Sequence, residues 1–257
     1  MKTFLINLDR SPKRLQYMGE MLDGLGISFT RISAVDGTVI DRPDCASPSL
    51  TLPEIGCFLS HRKIWERMIS EEIPVAFIVE DDVELSPDLP MLLDEQRWMP
   101  NGDFVVKLDT TDMRAALKKT GLKAPSQRDL MELHGRHCGT GGYLLSNTAA
   151  RRLIDLSKTL TVPVDLFLFD AKQDRAADIR IFQMTPAPIN HKIVSEDVSG
   201  TEFETTIPKE HLMEPKRTTS RSEKLSREVG RIVGQASHSL KVILKLTSER
   251  HLKVKFR

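Results

Sequence analysis

The chain has 257 residues, of which 40% are hydrophobic and 28% are charged, as is usual for a globular protein. Lysine and arginine number 37 against 36 aspartate and glutamate, and this net charge of +1 argues against a general nucleic-acid-binding protein. The three cysteines lack C-x-x-C spacing, which argues against a disulfide framework or a zinc knuckle. No apolar run approaches the roughly 18 residues of a membrane-spanning helix, and the N-terminus does not resemble a signal peptide. We therefore expect a cytoplasmic protein that binds no nucleic acid.

Predicted strands and helices alternate along the first two thirds of the chain. The pattern predicts strands at residues 3–8, 27–35, 74–79, 103–108, 143–146 and 179–184. It predicts helices at residues 12–24, 51–70 and 147–158, with a further helix opened by Ser86-Pro87. This alternation predicts an α/β fold with a mostly parallel, Rossmann-like sheet flanked by helices. In such sheets ligands bind outside the carboxyl ends of the strands.

Three consecutive acids, Glu80, Asp81 and Asp82, end the apolar strand predicted at 74–79. Carboxylates at the end of a buried strand are costly unless positive charge lies near them. In an extended chain Glu80 and Asp82 are expected to point to one side and Asp81 to the other. Oxygen ligands of this kind suit Mn²⁺ or Mg²⁺, which in turn bridges a diphosphate. The alternative is a polar turn whose acids cap the next helix.

Four segments of the sequence carry a family resemblance: INLDRSPKR at 6–14 with AVDG at 34–37, EIGCFLSHRKIW at 54–65, FIVEDDVEL at 77–85, and GTGGYLLSNTAARRLI at 139–154 followed by PVDLFL at 163–168. In this order and spacing they resemble glycosyltransferase family 25, the lipopolysaccharide-type sugar transferases related to collagen galactosyltransferases. The resemblance implies a GT-A-type fold, a UDP-sugar donor, usually UDP-galactose, and a metal-assisted inverting transfer. It also implies a glycan or glycolipid acceptor such as a lipopolysaccharide or lipooligosaccharide core.

The resemblance makes several residues candidates for binding the donor. Those at the end of the first strand are Asn7, Leu8 and Arg10. Arg14 is expected to meet a phosphate, with a solvated helix charge as the alternative. Asp36 is expected to hold the uridine, or else to form a turn with its glycine. Asp81 is placed near the ribose or the sugar. His61 is placed in the donor pocket, with a packed helical histidine as the alternative.

Candidates for the metal and for the base also follow from the resemblance. Glu80 and Asp82 are the expected ligands of Mn²⁺ or Mg²⁺, and His191 is a possible third ligand or a surface histidine. An inverting transfer needs a base near the acceptor hydroxyl. Asp165 in PVDLFL is the favoured base, with a helix N-cap as its alternative role, and Asp109 is the rival base.

The last part of the sequence differs from the rest in charge. Residues 1–212 carry 25 lysines and arginines against 32 acids, whereas residues 213–257 carry 12 against 4. We therefore expect a glycosyltransferase domain at 1–212 and a basic amphipathic helical tail at 213–257. One apolar stripe follows helical spacing from Leu225 to Leu246. The segment 220–246 is expected to lie peripherally on an anionic membrane, or else to pack on the body or on a second subunit.

Two functions other than sugar transfer fit parts of this pattern. A non-catalytic saccharide- or nucleotide-binding protein would keep the fold without the chemistry. A nucleotidyltransferase would need a glycine-rich phosphate loop after the first strand, and INLDRSPKR contains no glycine. The intact acidic triplet and the PVD segment favour an active sugar transferase.

Overall fold

The computed structural model describes residues 1–171, 179–191 and 249–257, and a large β-sheet runs through this part of the chain. Its strands are β1 (Lys2–Asn7), β2 (Thr30–Ser33), β3 (Val75–Glu80), β5 (Phe104–Lys107), β7 (Arg114–Ala124), β8 (Arg128–Leu133), β9 (Gly142–Ser146), β10 (Arg180–Thr185) and β12 (Glu249–Lys253). A smaller sheet contains β4 (Val83–Leu85), β6 (Asp109–Thr110) and β11 (Ile189–His191). The helices are α1 (Pro12–Gly24), α2 (Leu52–Ser70), α3 (Leu89–Asp94), α4 (Asn147–Leu156) and α5 (Val164–Phe169).

The large sheet has the strand order β12-β7-β8-β10-β5-β9-β3-β1-β2. β1 pairs in parallel with β2 and β3, and β10 pairs in parallel with β5. β9 lies antiparallel between β3 and β5, and the β7–β8 hairpin adds further antiparallel pairs. The sheet is therefore mixed, and the prediction of a mostly parallel sheet is wrong in this respect. The carboxyl ends of β1, β3, β5 and β10 still meet at one edge, where β9 begins.

The core lies on both faces of the central strand β3. Ala76, Phe77, Ile78 and Val79 are completely buried, as the apolar sequence of this strand predicts. Ile78 faces a core shared with α2, α4 and α5, whereas Phe77 and Val79 face a core shared with α1 and α3. Burial of each such large side chain stabilises the fold by about 1.5–3 kcal/mol. This packing fixes the position of the acids that follow the strand.

Helix α2 begins at the predicted capping box. The Thr51 hydroxyl accepts the backbone N–H of Glu54 at 3.4 Å, and the Glu54 carboxylate accepts the backbone N–H of Thr51 at 2.7 Å. The helix packs chiefly against α4 and carries the EIGCFLSHRKIW segment across the end of the sheet. Within the residues that the structure describes, no helix has the length and apolar character needed to cross a bilayer.

The last residues of the chain belong to the sheet. β12 pairs antiparallel with β7, Val254 is completely buried, and its carbonyl accepts a hydrogen bond from the Thr110 hydroxyl at 2.7 Å. For residues 249–253 the prediction of a helical tail is therefore corrected to an edge strand, because these residues pair with β7. The amphipathic stripe at 220–246 lies outside the described residues, as does the proposed boundary at 212.

Candidate active site

A cavity of about 270 Å³ opens at the carboxyl edge of the large sheet, where the sequence analysis expects a ligand. Its walls come from the end of β1, the start of α1, the loop after β2, the first turns of α2 and the acids that follow β3. The sequence-predicted residues that line it are Asn7, Leu8, Arg10, Arg14, Asp36, Glu80, Asp81 and Asp82. His61, Asp109, Asp165 and His191 are not among its lining residues.

Arg14 forms ion pairs with two of the three consecutive acids. Its Nη2 contacts Oδ1 of Asp81 and lies 3.0 Å from Oδ2 of Asp82. Asn7 donates its side-chain N–H to the other oxygen of Asp81 at 2.6 Å. The Arg14 side chain is only 13% exposed, so a solvated helix charge does not describe it. The expected alternation is wrong here, because the chain turns after Glu80 and presents Asp81 and Asp82 to the same guanidinium.

The neighbouring carboxyls Glu80 and Asp81 have opposite pKa shifts. Burial raises the pKa of Asp81 to about 6, although Arg14 opposes this effect. Burial alone would also raise the pKa of Glu80, but hydrogen bonds to its carboxylate outweigh this effect and lower that pKa to about 2. The main source is His61, with Thr140 also donating a hydrogen bond. Glu80 is therefore held as a carboxylate.

Asp82 is the acid whose surroundings best fit a cation. Its Oδ1 is buried and accepts no hydrogen bond from the described residues. A buried carboxylate oxygen without a donor is costly, and a hard cation is a suitable partner for it. Glu80 and Asp82 thus fit Mn²⁺ or Mg²⁺ in donor chemistry, while Arg14 already supplies one positive charge to this position.

His191 pairs across the small sheet with Val83, the residue after Asp82, but it is not among the residues that line the cavity. Its Nε2 lies 3.5 Å from Oδ2 of Asp109, at the start of the small-sheet strand β6. Among the described side chains, the group of potential ligands that approach within 4.8 Å of one another is Cys57, His61 and Glu80. Burial raises the pKa of the Cys57 thiol well above its usual value, so the thiol stays protonated and is a poor ligand. Both ring nitrogens of His61 are already hydrogen-bonded.

Asp36 both forms a turn and faces the cavity. Its Oδ1 accepts hydrogen bonds from the backbone N–H and the hydroxyl of Thr38, at 2.9 and 2.7 Å. Its Oδ2 lies 2.6 Å from Nε of Arg10. The hydrogen bonds from Thr38 and the Arg10 guanidinium lower the pKa of Asp36. Forming a turn and facing a ligand, the two roles considered for Asp36 from the sequence, are therefore compatible in this one residue.

Two glycines allow the AVDG and EIGC segments to touch. A Cβ on Gly37 would lie 2.2 Å from the carbonyl oxygen of Leu52, and a Cβ on Gly56 would lie 2.5 Å from that of Val35. Any larger residue at either position must push the loop after β2 away from the start of α2. Because these two residues have no side chain, two walls of the cavity can pack closely against each other.

A second polar cluster lies at the end of β5 and was not predicted from the sequence as a unit. Lys107 is completely buried, with its Nζ 2.7 Å from Oδ1 of Asp109 and in contact with the carbonyl of Gly139. The Gly139 N–H in turn donates to Asp165 at 3.1 Å. The signal for this cluster was a lysine within the otherwise apolar strand DFVVKL, which a buried acid partner explains.

Asp165 and Asp109 differ in how accessible they are. Asp165 is half-buried, and its two oxygens accept the backbone N–H groups of Gly139 and Leu166. Burial raises the pKa of Asp165. Asp109 is completely buried and paired with Lys107. Helix α5 has Pro163 at its N-cap position, so the N-cap role considered for Asp165 is wrong.

Fold and site together define an α/β protein with a cavity of acids and arginines at the carboxyl ends of its parallel strands. The chain belongs to glycosyltransferase family 25: the family model, described as "Glycosyltransferase family 25 (LPS biosynthesis protein)", matches residues 1–168. The resemblance read from the four segments is thereby confirmed.

Individual relatives match a similar part of the chain. The "Lacto-N-neotetraose biosynthesis glycosyltransferase LgtB" of Neisseria gonorrhoeae is 34% identical over 151 residues, covering 55% of this chain and 54% of that protein. The "Lipooligosaccharide biosynthesis protein lic2B" of Haemophilus influenzae is 28% identical over 160 residues, covering 59% of each. A "Glycosyltransferase 25 family member" of Drosophila pseudoobscura pseudoobscura is 33% identical over 183 residues, covering 64% of this chain and 29% of that protein. The chain thus spans about half the length of the bacterial relatives.

Solved structures resemble the chain only loosely. The inositol-1-phosphate CTP transferase from T. maritima is 10% identical, with a TM-score of 0.35, covering 78% of this chain and 97% of that chain. A TM-score this low carries no argument about function.

Proposed function

We propose that the protein is a glycosyltransferase that moves a hexose from a UDP-sugar to a saccharide acceptor. Membership of glycosyltransferase family 25 supports the transfer of a sugar. The names of the bacterial relatives, which include lacto-N-neotetraose and lipooligosaccharide biosynthesis, support a growing lipooligosaccharide as the acceptor. Galactose is the proposed sugar, and a GT-A-type fold and inversion at the anomeric carbon are parts of the same proposal.

The observation that carries this proposal is the cavity at the carboxyl edge of the sheet. It contains two arginines, with Arg14 beside the acids of the EDD segment and Arg10 beside Asp36. Guanidinium groups suit the diphosphate of a nucleotide sugar, whose negative charge grows as the glycosidic bond breaks. Asp36, which pairs with Arg10 in the same cavity, offers acceptor oxygens for hydroxyl or amide groups of the nucleoside.

A divalent cation fits the same mechanism. Mn²⁺ or Mg²⁺, when bound, supplies positive charge for the leaving diphosphate, and Glu80 and Asp82 are the residues proposed to hold it. Arg14 keeps the adjacent Asp81 oriented by its ion pair, and Asn7 fixes the other oxygen of that carboxylate. The protein thus positions the acids before the donor arrives.

Asp165 is the proposed base that accepts the proton of the acceptor hydroxyl. Burial raises its pKa, which makes the carboxylate a stronger base than an exposed aspartate, and its side chain is partly open to solvent. Asp109 is less suited because it is completely buried and already neutralised by Lys107. We keep it as the rival assignment.

A further part of the proposal concerns the basic segment 220–246, outside the described residues. Its sequence pattern supports peripheral contact with the anionic cytoplasmic face of a membrane, where a lipid-linked acceptor would be found.

A screen of UDP-sugars with Mn²⁺ tests the proposal. We expect UDP to be released from one hexose donor, faster in the presence of a lactose- or N-acetylglucosamine-terminated acceptor than without it. UDP binding without turnover of any donor would favour a non-catalytic nucleotide-binding protein, and absence of both would contradict the proposed donor site.

A further inference from the structure

A chain of four buried or half-buried polar side chains connects helix α2 to the acidic triplet. Trp65 Nε1 lies 3.0 Å from the Tyr143 hydroxyl, and that hydroxyl lies 2.9 Å from Nδ1 of His61. Nε2 of His61 lies 3.0 Å from Oε1 of Glu80. Trp65, Tyr143 and His61 are completely buried. The four residues come from the segments EIGCFLSHRKIW, GTGGYLLS and FIVEDDVEL, which are distant in the sequence.

The direction of each hydrogen bond follows from which atoms carry hydrogen. The indole N–H of Trp65 can only donate, so the Tyr143 oxygen accepts from it. The single hydroxyl hydrogen of Tyr143 then goes to Nδ1 of His61, which must be unprotonated to accept it. The proton of a neutral His61 is therefore on Nε2 and is donated to Glu80.

A different protonation of His61 conflicts with this arrangement. A proton on Nδ1 would make His61 a second donor to Tyr143, and the hydroxyl hydrogen would then lack the acceptor at 2.9 Å. An unmatched hydroxyl in a completely buried position is unfavourable, because it has lost its hydrogen bonds to water. The pair Trp65 and Tyr143 thus selects one tautomer of His61.

Glu80 receives two hydrogen bonds on one oxygen. Besides His61, the Thr140 hydroxyl donates to Oε1 at 2.6 Å. Since both bonds engage Oε1, the carboxylate plane is fixed and Oε2 is left as the oxygen that can serve a ligand in the cavity, which Glu80 lines. Carboxylates that bind a metal are themselves commonly held in orientation by hydrogen bonds from neighbouring groups.

We propose that His61 is a positioning residue: Tyr143 and Trp65 hold it as the Nε2–H tautomer, and it orients Glu80 for the donor. This replaces the expectation that His61 itself lines the donor pocket, since the cavity is bordered by Glu80 and not by the histidine. The proposal rests on the proposed function only in taking Glu80 as part of the donor site.

The tautomer is measured directly, without metal or turnover. Two-bond ¹⁵N–¹H correlation spectra of the labelled wild-type protein distinguish a histidine protonated on Nε2 from one protonated on Nδ1 or on both nitrogens. The His61 signals are assigned among the seven histidines by their loss in His61→Gln. A proton on Nε2 alone is expected, and either other state overturns the proposal.

Tyr143→Phe tests whether the tyrosine selects that tautomer. The variant keeps the ring, which packs edge-on against Phe169, but removes the hydroxyl hydrogen that Nδ1 accepts. The nitrogen signals of His61 should therefore shift toward a mixture of tautomers. An unchanged spectrum in a folded Tyr143→Phe protein would overturn the role assigned to Tyr143.

Binding of UDP in the presence of Mn²⁺, measured by calorimetry, tests the positioning of Glu80. The amide N–H of His61→Gln can replace the Nε2 donor, whereas His61→Leu fills similar space without any donor. We expect His61→Leu to bind roughly 10–100-fold more weakly than the wild type and His61→Gln to recover most of that loss. Equal affinities for both variants and the wild type would overturn the inference. Failure of the wild type itself to bind UDP counts against the proposed function, and the spectra still decide the inference.

Discussion

Arg14 Nη2 lies 3.0 Å from Oδ2 of Asp82 and also contacts Asp81, so one guanidinium joins the first turns of α1 to the acids after β3. This contact brings the INLDRSPKR and FIVEDDVEL segments to the same wall of the cavity. It also explains how two adjacent, largely buried carboxyls are tolerated in a small volume, since an arginine within hydrogen-bonding distance offsets their desolvation.

Replacing Asp82 by alanine is expected to abolish most transfer while the protein remains folded. One oxygen of Asp82 has no described donor, and Arg14, which the other oxygen contacts, keeps Asp81 as a partner, so the change removes a proposed cation ligand without leaving the arginine unpaired. We expect kcat to fall at least about 10²-fold, equivalent to roughly 3 kcal/mol of transition-state stabilisation. Glu84→Ala, two residues away on an exposed position, is the matched control. Full activity of Asp82→Ala, or activity insensitive to excess chelator, would exclude the cation from the mechanism.

Asp165→Asn separates a base from a structural acceptor. The amide keeps one acceptor oxygen for the Gly139 or Leu166 N–H but cannot take a proton. We expect kcat to fall by about 10²–10⁴-fold with the KM for donor little changed. A melting curve shows how much of the effect is structural. Near-wild-type turnover would move the assignment to Asp109, to be tested with Asp109→Asn.

Gly56→Ala is expected to destabilise the protein through a single methyl group. The added Cβ would lie 2.5 Å from the carbonyl oxygen of Val35, so the loop must move. We expect a loss of about 1–3 kcal/mol in the free energy of unfolding, measured by denaturant titration. Gly24→Ala is the control, since a Cβ there meets no atom within 4 Å and α1 includes this residue. Equal stability of the two variants would contradict the close packing.

His137 is expected to make unfolding easier in acid. Burial lowers its pKa from 6.5 to about 4, so between these pH values the unfolded state binds a proton that the folded state does not. Its contribution to stability is therefore complete above about pH 6.5 and is lost as the pH falls toward 4, by about 3 kcal/mol in total. The raised pKa of Asp81 has the opposite effect on the free energy of unfolding, which it increases as the pH falls from about 6 toward 3.8. The measurement is the free energy of unfolding of the wild type and of His137→Gln as a function of pH. The free energy of unfolding of His137→Gln should fall less between pH 6.5 and 4 than that of the wild type. Parallel pH profiles of the two proteins would contradict this.

Two deletions distinguish the edge strand from the basic segment. Removing residues 249–257 takes away β12 and the buried Val254, and should lower the melting temperature by several degrees. Removing only 220–246, with a short linker in its place, should leave the melting temperature nearly unchanged and abolish sedimentation with anionic vesicles. Truncation of everything after 219 is a poor test, because it combines both effects. If the internal deletion still sediments with vesicles, another surface binds the membrane.

The sequence predicted those elements whose local signals agree with their final surroundings. The capping box at Thr51 and Glu54 predicts the start of α2, and the apolar run before Glu80 predicts a buried strand; the structure contains both. The β7–β8 hairpin was missed because Lys118, Lys119 and Thr120 break the alternation of strand residues. Lys118 pairs with Glu132 in the neighbouring β8 and with Glu249 in β12, and no local signal identifies the second partner, which lies far away in the sequence.

The sequence predicted which residues belong to the site better than it predicted how their side chains are arranged. Eight of the residues chosen from the sequence line one cavity, because strand ends and their polar residues are visible in the sequence. The turn after Glu80, which sends Asp81 and Asp82 to Arg14, depends on contacts across the sheet and could not be derived from the alternation rule. The buried Lys107 was overlooked because its partner Asp109 was considered only as a base.

The pairing of β7 with β12 has a consequence for how the chain is made. Ala116 lies opposite His251, so the outer edge of β7 stays without its neighbour until residue 251 has left the ribosome. An unpaired strand edge invites association with other nascent chains, and charged side chains are a common protection. β7 carries Arg114, Lys118, Lys119 and Lys123 and no acid. These basic side chains, two of which interrupt the strand pattern in the sequence, are therefore expected to prevent association of nascent chains through β7 during synthesis.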